Sequence, residues 1–266
     1  MSFDLSLIPL FLGLGVLTGF LSALLGIGGG IIYVPVLTFA LPLLLGVNDD
    51  AIRIAIATSL LVVFLTAISS SVANVRARNV DYRLLKRALA AGLIGAFVGS
   101  QFGSHLPAEV LRVAFGLLQF YVGYRLIRAI GRREYAEGEE DIAWRKVIPI
   151  SGFTGVITST FGIGGGLFSV PAFNQFCRVP LRKCVGTSSN LIFFNAMMGV
   201  AGYVVGQTIT GLPLIRYDIA FTIAIGAMAA APLGIRFLGR VNLDLLRRVF
   251  ALLVFASALN LLLGAL

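Results

Sequence analysis

The stretch Gly19-Phe-Leu-Ser-Ala-Leu-Leu-Gly-Ile-Gly-Gly-Gly-Ile-Ile-Tyr-Val-Pro35 returns without a gap as Gly155-Val-Ile-Thr-Ser-Thr-Phe-Gly-Ile-Gly-Gly-Gly-Leu-Phe-Ser-Val-Pro171. The correspondence continues in order along the chain. Arg53 with Ala57-Thr58-Ser59 parallels Arg182 with Gly186-Thr187-Ser188. Gly95-Ala-Phe and Gly103 parallel Gly226-Ala-Met and Gly234, and Leu111-Arg112 parallels Leu246-Arg247. A match kept over the full length marks an internal repeat, and it divides the chain into two homologous halves. The expected units are residues 1–130, a connector 131–146, and residues 147–266.

Composition says where these halves reside. Of 266 residues, 58% are hydrophobic and 12% charged, against about 25% charged in a soluble domain. No Asp, Glu, Lys or Arg lies between Asp4 and Asp49, between Lys146 and Arg178, or between Lys183 and Arg216. Such stretches read as membrane-embedded helices. The net charge of +9 does not point to nucleic acid, because the basic residues fall between apolar segments and form no stripe with aromatics. The start, Met1-Ser-Phe-Asp4, lacks the basic region of a signal peptide, so the N-terminus is expected to be retained.

Each half should contain three ordinary spans, near 52–73, 84–104 and 109–130, then near 184–206, 217–237 and 246–265. A hydrocarbon core needs about 20 helical residues. The uncharged segment 147–177 differs, since one helix of that length would be roughly 46 Å long. A hairpin of two short helices broken at Gly162–Gly166 fits it better. Residues 5–47, broken at Gly26–Gly30, hold either a deep hairpin or two spans. The fold class expected is therefore an all-α integral membrane protein of two inverted-topology repeats, each a Gly-broken helical hairpin plus three transmembrane helices.

The inversion comes from charge placement. Arg76, Arg78, Arg83, Lys86 and Arg87 mark one cytoplasmic loop; Arg125–Lys146, Arg178–Lys183 and Arg236–Arg248 mark others. Tracing the spans puts both termini outside a plasma membrane and sends the two hairpins in from opposite faces. Cys177 and Cys184 then lie on the cytoplasmic side, reduced. They read as small semi-buried residues or as thiols that meet a sulfur-containing substrate.

A broken helix survives in lipid only where protein buries it or a cavity wets it. Glycine lets backbone approach a ligand closely, and a helix that starts after the break offers free N–H groups and a positive dipole end. Two such ends could bind an anion without a buried cation, and interrupted helices in inverted repeats point to a transport site. Gly28, Gly29, Gly30, Gly164, Gly165 and Gly166 are therefore candidate substrate-binding residues. The other reading is close packing, with Val-Pro terminating each hairpin.

Thr58, Ser59, Thr187, Ser188, Asn190 and Asn195 either line the substrate path or act as interhelical hydrogen-bond glue; Asn74 and Gln101 are weaker candidates. Arg53 and Arg182, at helix starts, either draw anions to the two mouths or set topology by snorkelling. His105 reads as a solvated turn residue, and Trp144 and Tyr135 as interfacial anchors. Asp49, Asp50, Glu109, Asp218 and Asp244 fall at helix ends or in loops, so no mid-span carboxylate relay is visible. HExxH, GxSxG and His/Asp clusters are missing. An enzyme is not expected, nor a cofactor, nor a metal.

The two glycine-bearing segments, each followed by an Ala/Gly-Thr-Ser helix, resemble the sulfite exporter family, the TauE/SafE-like permeases. The resemblance spans about residues 8–265. It implies a plasma-membrane permease for sulfite, sulfonates or related sulfur-containing anions, with Gly26–Gly30 and Gly162–Gly166 as its signature positions. Export is the expected direction. Proton-coupled uptake, an anion channel and a non-transporting membrane scaffold are the alternatives, and whether the chain acts as monomer or homodimer stays open.

Overall fold

A computed structural model describes residues 7–25, 29–46, 50–128, 141–237 and 243–263. Ten helices and no strand occur among the described residues. They are α1 (Ile8–Leu25), α2 (Gly30–Leu45), α3 (Ala51–Arg76), α4 (Tyr82–His105), α5 (Ala108–Arg128), α6 (Trp144–Phe161), α7 (Gly166–Cys177), α8 (Leu181–Thr210), α9 (Tyr217–Phe237) and α10 (Leu243–Leu263). Tyr135 of the connector and most of the first glycine cluster lie outside the described residues.

Three of the described helices, α3, α5 and α8, are long and apolar enough to cross a membrane by length and composition. The distribution of side chains supports the same environment for the whole bundle. Leu43, Ile94 and Leu252 are 84%, 67% and 68% exposed, while Thr58, Ser59, Thr158, Thr187, Ser188 and Asn195 are buried. Apolar surface on this scale is a liability in water. In a bilayer it is the solvent-facing side, and polar groups belong inside.

Local signals set the helix ends. Asp81 caps α4, its carboxylate accepting from the Arg83 and Leu84 N–H groups at 2.9 and 3.1 Å. Gly162 closes α6 at φ +64°, in the left-handed region that favours glycine. Val34-Pro35 and Val170-Pro171 terminate nothing, because both prolines lie inside helices α2 and α7.

The sequence match equates α1 with α6, α2 with α7, α3 with α8, α4 with α9 and α5 with α10. Several contacts between helices are exchanged under this correspondence. Helix α3 packs on α8 and α5 on α10, and the α1–α9 contact is answered by α6–α4. Small residues allow both of the latter approaches. A Cβ on Gly15 would lie 2.2 Å from the Ile223 carbonyl oxygen, and one on Gly19 2.5 Å from the Ala227 Cα. In the matching pair, a Cβ on Gly95 would lie 2.2 Å from the Gly152 carbonyl oxygen and one on Gly155 2.2 Å from that of Gly92. These helices meet backbone to backbone, which is how membrane helices gain packing energy where lipid provides no hydrophobic drive.

Gly95→Ala is therefore expected to force α4 and α6 apart, at a cost of about 1–3 kcal/mol. Gly152→Ala should be neutral or stabilising, because its Cβ would sit 3.7 Å from the Ala91 carbonyl and alanine is the better helix former. Thermal unfolding of the purified variants in detergent checks the contrast.

Candidate functional site

Helix α6 runs into the second glycine cluster and α7 leaves it, so residues 162–165 form a break with every backbone group of 162–166 buried. The Ile163 N–H still reaches the Thr158 carbonyl at 3.2 Å. Ser59 Oγ donates to the Gly162 carbonyl at 2.8 Å, and a Cβ on Gly162 would lie 2.4 Å from the Ile56 carbonyl oxygen. Helix α3 thus forms one wall of the break. The start of α2 forms another. A Cβ on Gly30 would lie 2.2 Å from the Gly162 carbonyl oxygen and 2.7 Å from the Ile163 Cα. The two glycine clusters, far apart in sequence, touch.

The prolines create a second demand. A proline in a helix leaves the carbonyl four residues before it without its N–H partner. For Pro35 that carbonyl belongs to Ile31, and for Pro171 to Leu167. Helix α5 supplies donors to both: Gln119 Nε2 reaches the Ile31 carbonyl at 3.4 Å and Arg125 Nη1 the Leu167 carbonyl at 3.3 Å. One helix thereby engages the first turn of each broken segment. Neither residue stood out in the sequence, where Arg125 was grouped with the connector; the offset from Pro35 and Pro171 was the available signal.

The other predicted residues divide by role. Thr58 Oγ1 accepts from the Arg216 N–H at 3.1 Å, at the entrance to α9. Thr187 Oγ1 accepts from the Asp81 N–H at 2.9 Å, at the entrance to α4. These equivalent threonines hold equivalent chain entries. Asn190 joins helices, accepting from Ser71 Oγ at 2.6 Å and donating to the Gly186 carbonyl at 3.0 Å. Gln101 donates to the Gly202 carbonyl at 3.0 Å and Asn74 to Ser189 Oγ at 3.3 Å. Arg53 is committed to the Leu106 carbonyl at 3.0 and 2.8 Å and to Asp50 at 2.6 Å, whereas Arg182 is exposed. His105 is exposed at the end of α4. Cys177 and Cys184 are both buried and form no disulfide, and Cys184 Sγ donates to the Val179 carbonyl at 3.2 Å.

Ser188, Gly165 and Gly166 are brought together at the start of α7. Ser169 Oγ donates to the Gly165 carbonyl at 3.0 Å and pairs with the Ser188 hydroxyl. Asn195 lies on α8, fully buried, with both amide atoms unpaired. A Cβ on Gly92 would lie 2.7 Å from its Oδ1. Gly28 lies outside the described residues.

Sequence reading passed over the hydroxyls of α6. Ser151, Thr154 and Thr158 recur at helical spacing on one face, and all are buried. Thr154 donates to the Ile150 carbonyl at 2.7 Å. Ser151, Thr158 and the adjacent Ser159 have no hydrogen-bond partner. Orphaned buried hydroxyls are uncommon and each calls for an explanation. The signal was in the repeat itself, since Thr158-Ser159-Thr160 immediately precedes the second break.

A separate cavity of about 310 Å³ is lined by Arg83, Arg87, Asp141, Ile142 and Ala143, at the starts of α4 and α6. Arg87 donates to the Ile142 carbonyl and stacks over Trp144 at 5.3 Å. Among the described residues, no group of three or more His, Cys, Asp or Glu is arranged to hold a metal ion.

Comparison with known proteins adds the following. A family described as "Sulfite exporter TauE/SafE" matches residues 11–261. A "Probable membrane transporter protein" of Xylella fastidiosa is 30% identical, covering 93% of this chain and 92% of its own. One of Methanocaldococcus jannaschii is 26% identical over 90% and 89% of the two chains. A third, YunE of Bacillus subtilis, is 29% identical over 75% and 79%. No solved structure matches the chain.

Replacing Thr187 by valine strands the Asp81 N–H, and replacing Thr58 by valine strands that of Arg216. Each is expected to lower stability by about 1–3 kcal/mol, with serine restoring it. Unfolding of the detergent-solubilised variants measures the loss.

Proposed function

Since the chain belongs to the sulfite exporter TauE/SafE family and is a membrane transporter, we propose that it carries a small sulfur-containing anion, such as sulfite or a sulfonate, outward across the plasma membrane. The carrier site in this reading lies where the two glycine clusters meet. One observation carries it: Gly30 packs directly on Gly162 and Ile163, beside a helix start and buried hydroxyls that no protein group satisfies. Close packing alone accounts for the glycines. It does not account for unpaired donors left at the same place.

The residues that take part are Gly28, Gly29 and Gly30 of the first cluster, Gly164, Gly165 and Gly166 of the second, and Ser59 and Ser188 beside the second. Asn195 adds an amide farther along α8. Thr58, Thr187 and Asn190 support the site from the positions described above. Arg182, exposed, is the better placed of the two arginines to attract an anion at a mouth.

Residues 1–130 and 147–266 act in this reading as inverted repeats, with both termini outside. Support comes from the Lys/Arg placement and from the exchange of contacts, in which α1–α9 is answered by α6–α4. Movement of one unit against the other about the shared breaks exposes the site to each side in turn. Export needs no proton relay. An interior-negative potential contributes about 2.3 kcal/mol per charge per 100 mV towards expelling an anion.

Gly164→Leu is expected to abolish sulfite and sulfonate efflux from proteoliposomes while leaving the protein folded. Efflux by the unmodified protein should accelerate as the interior is made more negative. Efflux by Gly164→Leu at the original rate removes the site, and indifference to voltage removes potential-driven export.

A further inference from the structure

The two glycine clusters match in sequence but are furnished differently. Gly29 and Gly165 occupy equivalent places in the repeat, each preceding the first residue of a broken helix. At Gly29 an added Cβ would meet the ring of Tyr33, at 2.3 Å from Cε2 and 2.6 Å from Cζ. The ring is buried, and it covers the start of α2. At Gly165 the same Cβ would meet Thr158 Oγ1 at 2.4 Å and Thr154 Cγ2 at 2.5 Å. The residue that matches Tyr33 is Ser169, too small to cover anything. An aromatic side chain thus fills the first-half cradle, where the second half has a hydroxyl.

Thr158 is the decisive group. It is fully buried, has no hydrogen-bond partner, and points at Gly165, the residue before α7. A threonine within a helix ordinarily donates to the carbonyl four residues back, as Thr154 does to Ile150. Thr158 does not, and its donor remains available beside the Gly166 and Leu167 N–H groups that open α7, ahead of Phe168, whose N–H bonds the Gly165 carbonyl at 3.0 Å. Arg125 contributes a full positive charge to that turn through its contact with the Leu167 carbonyl. Donors and positive potential converge there.

We infer that the carrier site is one-sided: the Thr158 hydroxyl and the first-turn N–H groups of α7 hold the oxygens of a sulfite or sulfonate group, and Tyr33 closes the equivalent place in the first half. This rests on the carrier reading above and narrows its two-cluster site to one. The occupant is an oxyanion, because the N–H groups can only donate, the Thr158 hydroxyl has its proton to give and Arg125 adds positive charge. Thr158 binds; its counterpart in the sequence repeat is Ser22.

The test is binding of sulfite and of methanesulfonate to purified protein by calorimetry, alongside counterflow in proteoliposomes. Thr158→Val should weaken binding about tenfold or more, the loss of one hydrogen bond to a charged group. Its melting temperature should hold or rise, since an unpaired buried hydroxyl has been replaced by an isosteric methyl. Thr158→Ser should restore affinity, and Ser22→Ala should leave it unchanged. Wild-type affinity in Thr158→Val overturns the inference, as does equal weakening by Thr158→Val and Ser22→Ala. If Thr158→Val also supports counterflow at the wild-type rate, the inference falls and the carrier reading stands. Wild-type protein that neither binds nor exchanges either probe overturns both.

Discussion

A peptide group that loses its helical partner inside a bilayer has to find another within the protein, since unsatisfied groups there cost several kcal/mol each. This chain interrupts its helices at two glycine clusters and places a proline one turn beyond each. At both, carbonyls are answered by contacts distant in sequence. Ser59 answers the Gly162 carbonyl, while Gln119 and Arg125 answer the carbonyls that Pro35 and Pro171 leave open. The start of α2 then leans on the end of α6 through Gly30. The second break thus takes donors from residues of the first half, Ser59 and Arg125, and the start of α2 leans on the second.

The rest of the packing serves that meeting. Glycines on α1 and α9, and again on α4 and α6, bring backbones into direct contact, so that helices of one half are gripped by helices of the other. Thr58 and Thr187 fix the entrances to α9 and α4, each across the same divide. Around these contacts lies a core of large buried side chains drawn from both halves, Phe11, Tyr33, Phe115 and Tyr203 among them.

Helical class and membrane character were legible in composition, because long uncharged stretches leave no other outcome. Family membership was legible in the repeated glycine motif. Individual roles were less so. The Ala/Gly-Thr-Ser signature reads equally as a substrate path or as structural glue, and only the tertiary partners, Arg216 and Asp81, separate Thr58 and Thr187 from Ser59 and Ser188. Arg53 reads in sequence either as a charge that draws anions to a mouth or as a topology residue, and its ties to Leu106 and Asp50 appear only in the structure. Val-Pro looked like a stop signal, yet a proline can stay within a helix when another element supplies the missing donor, and α5 does so. The position of Thr158 just before the second break was legible, but a hydroxyl in a helix normally satisfies itself, and nothing in the sequence records that this one does not.

Ser169, isosteric with cysteine and buried against Gly165 and Ser188, gives the most direct access to the central claim. With Cys177 and Cys184 changed to serine, Ser169→Cys places one thiol at the first turn of α7. A membrane-impermeant thiol reagent should label it from either face of a proteoliposome, and saturating sulfite or sulfonate should slow both reactions. Labelling from one face only, no labelling, or rates indifferent to substrate would contradict an alternately exposed site where the glycine clusters meet.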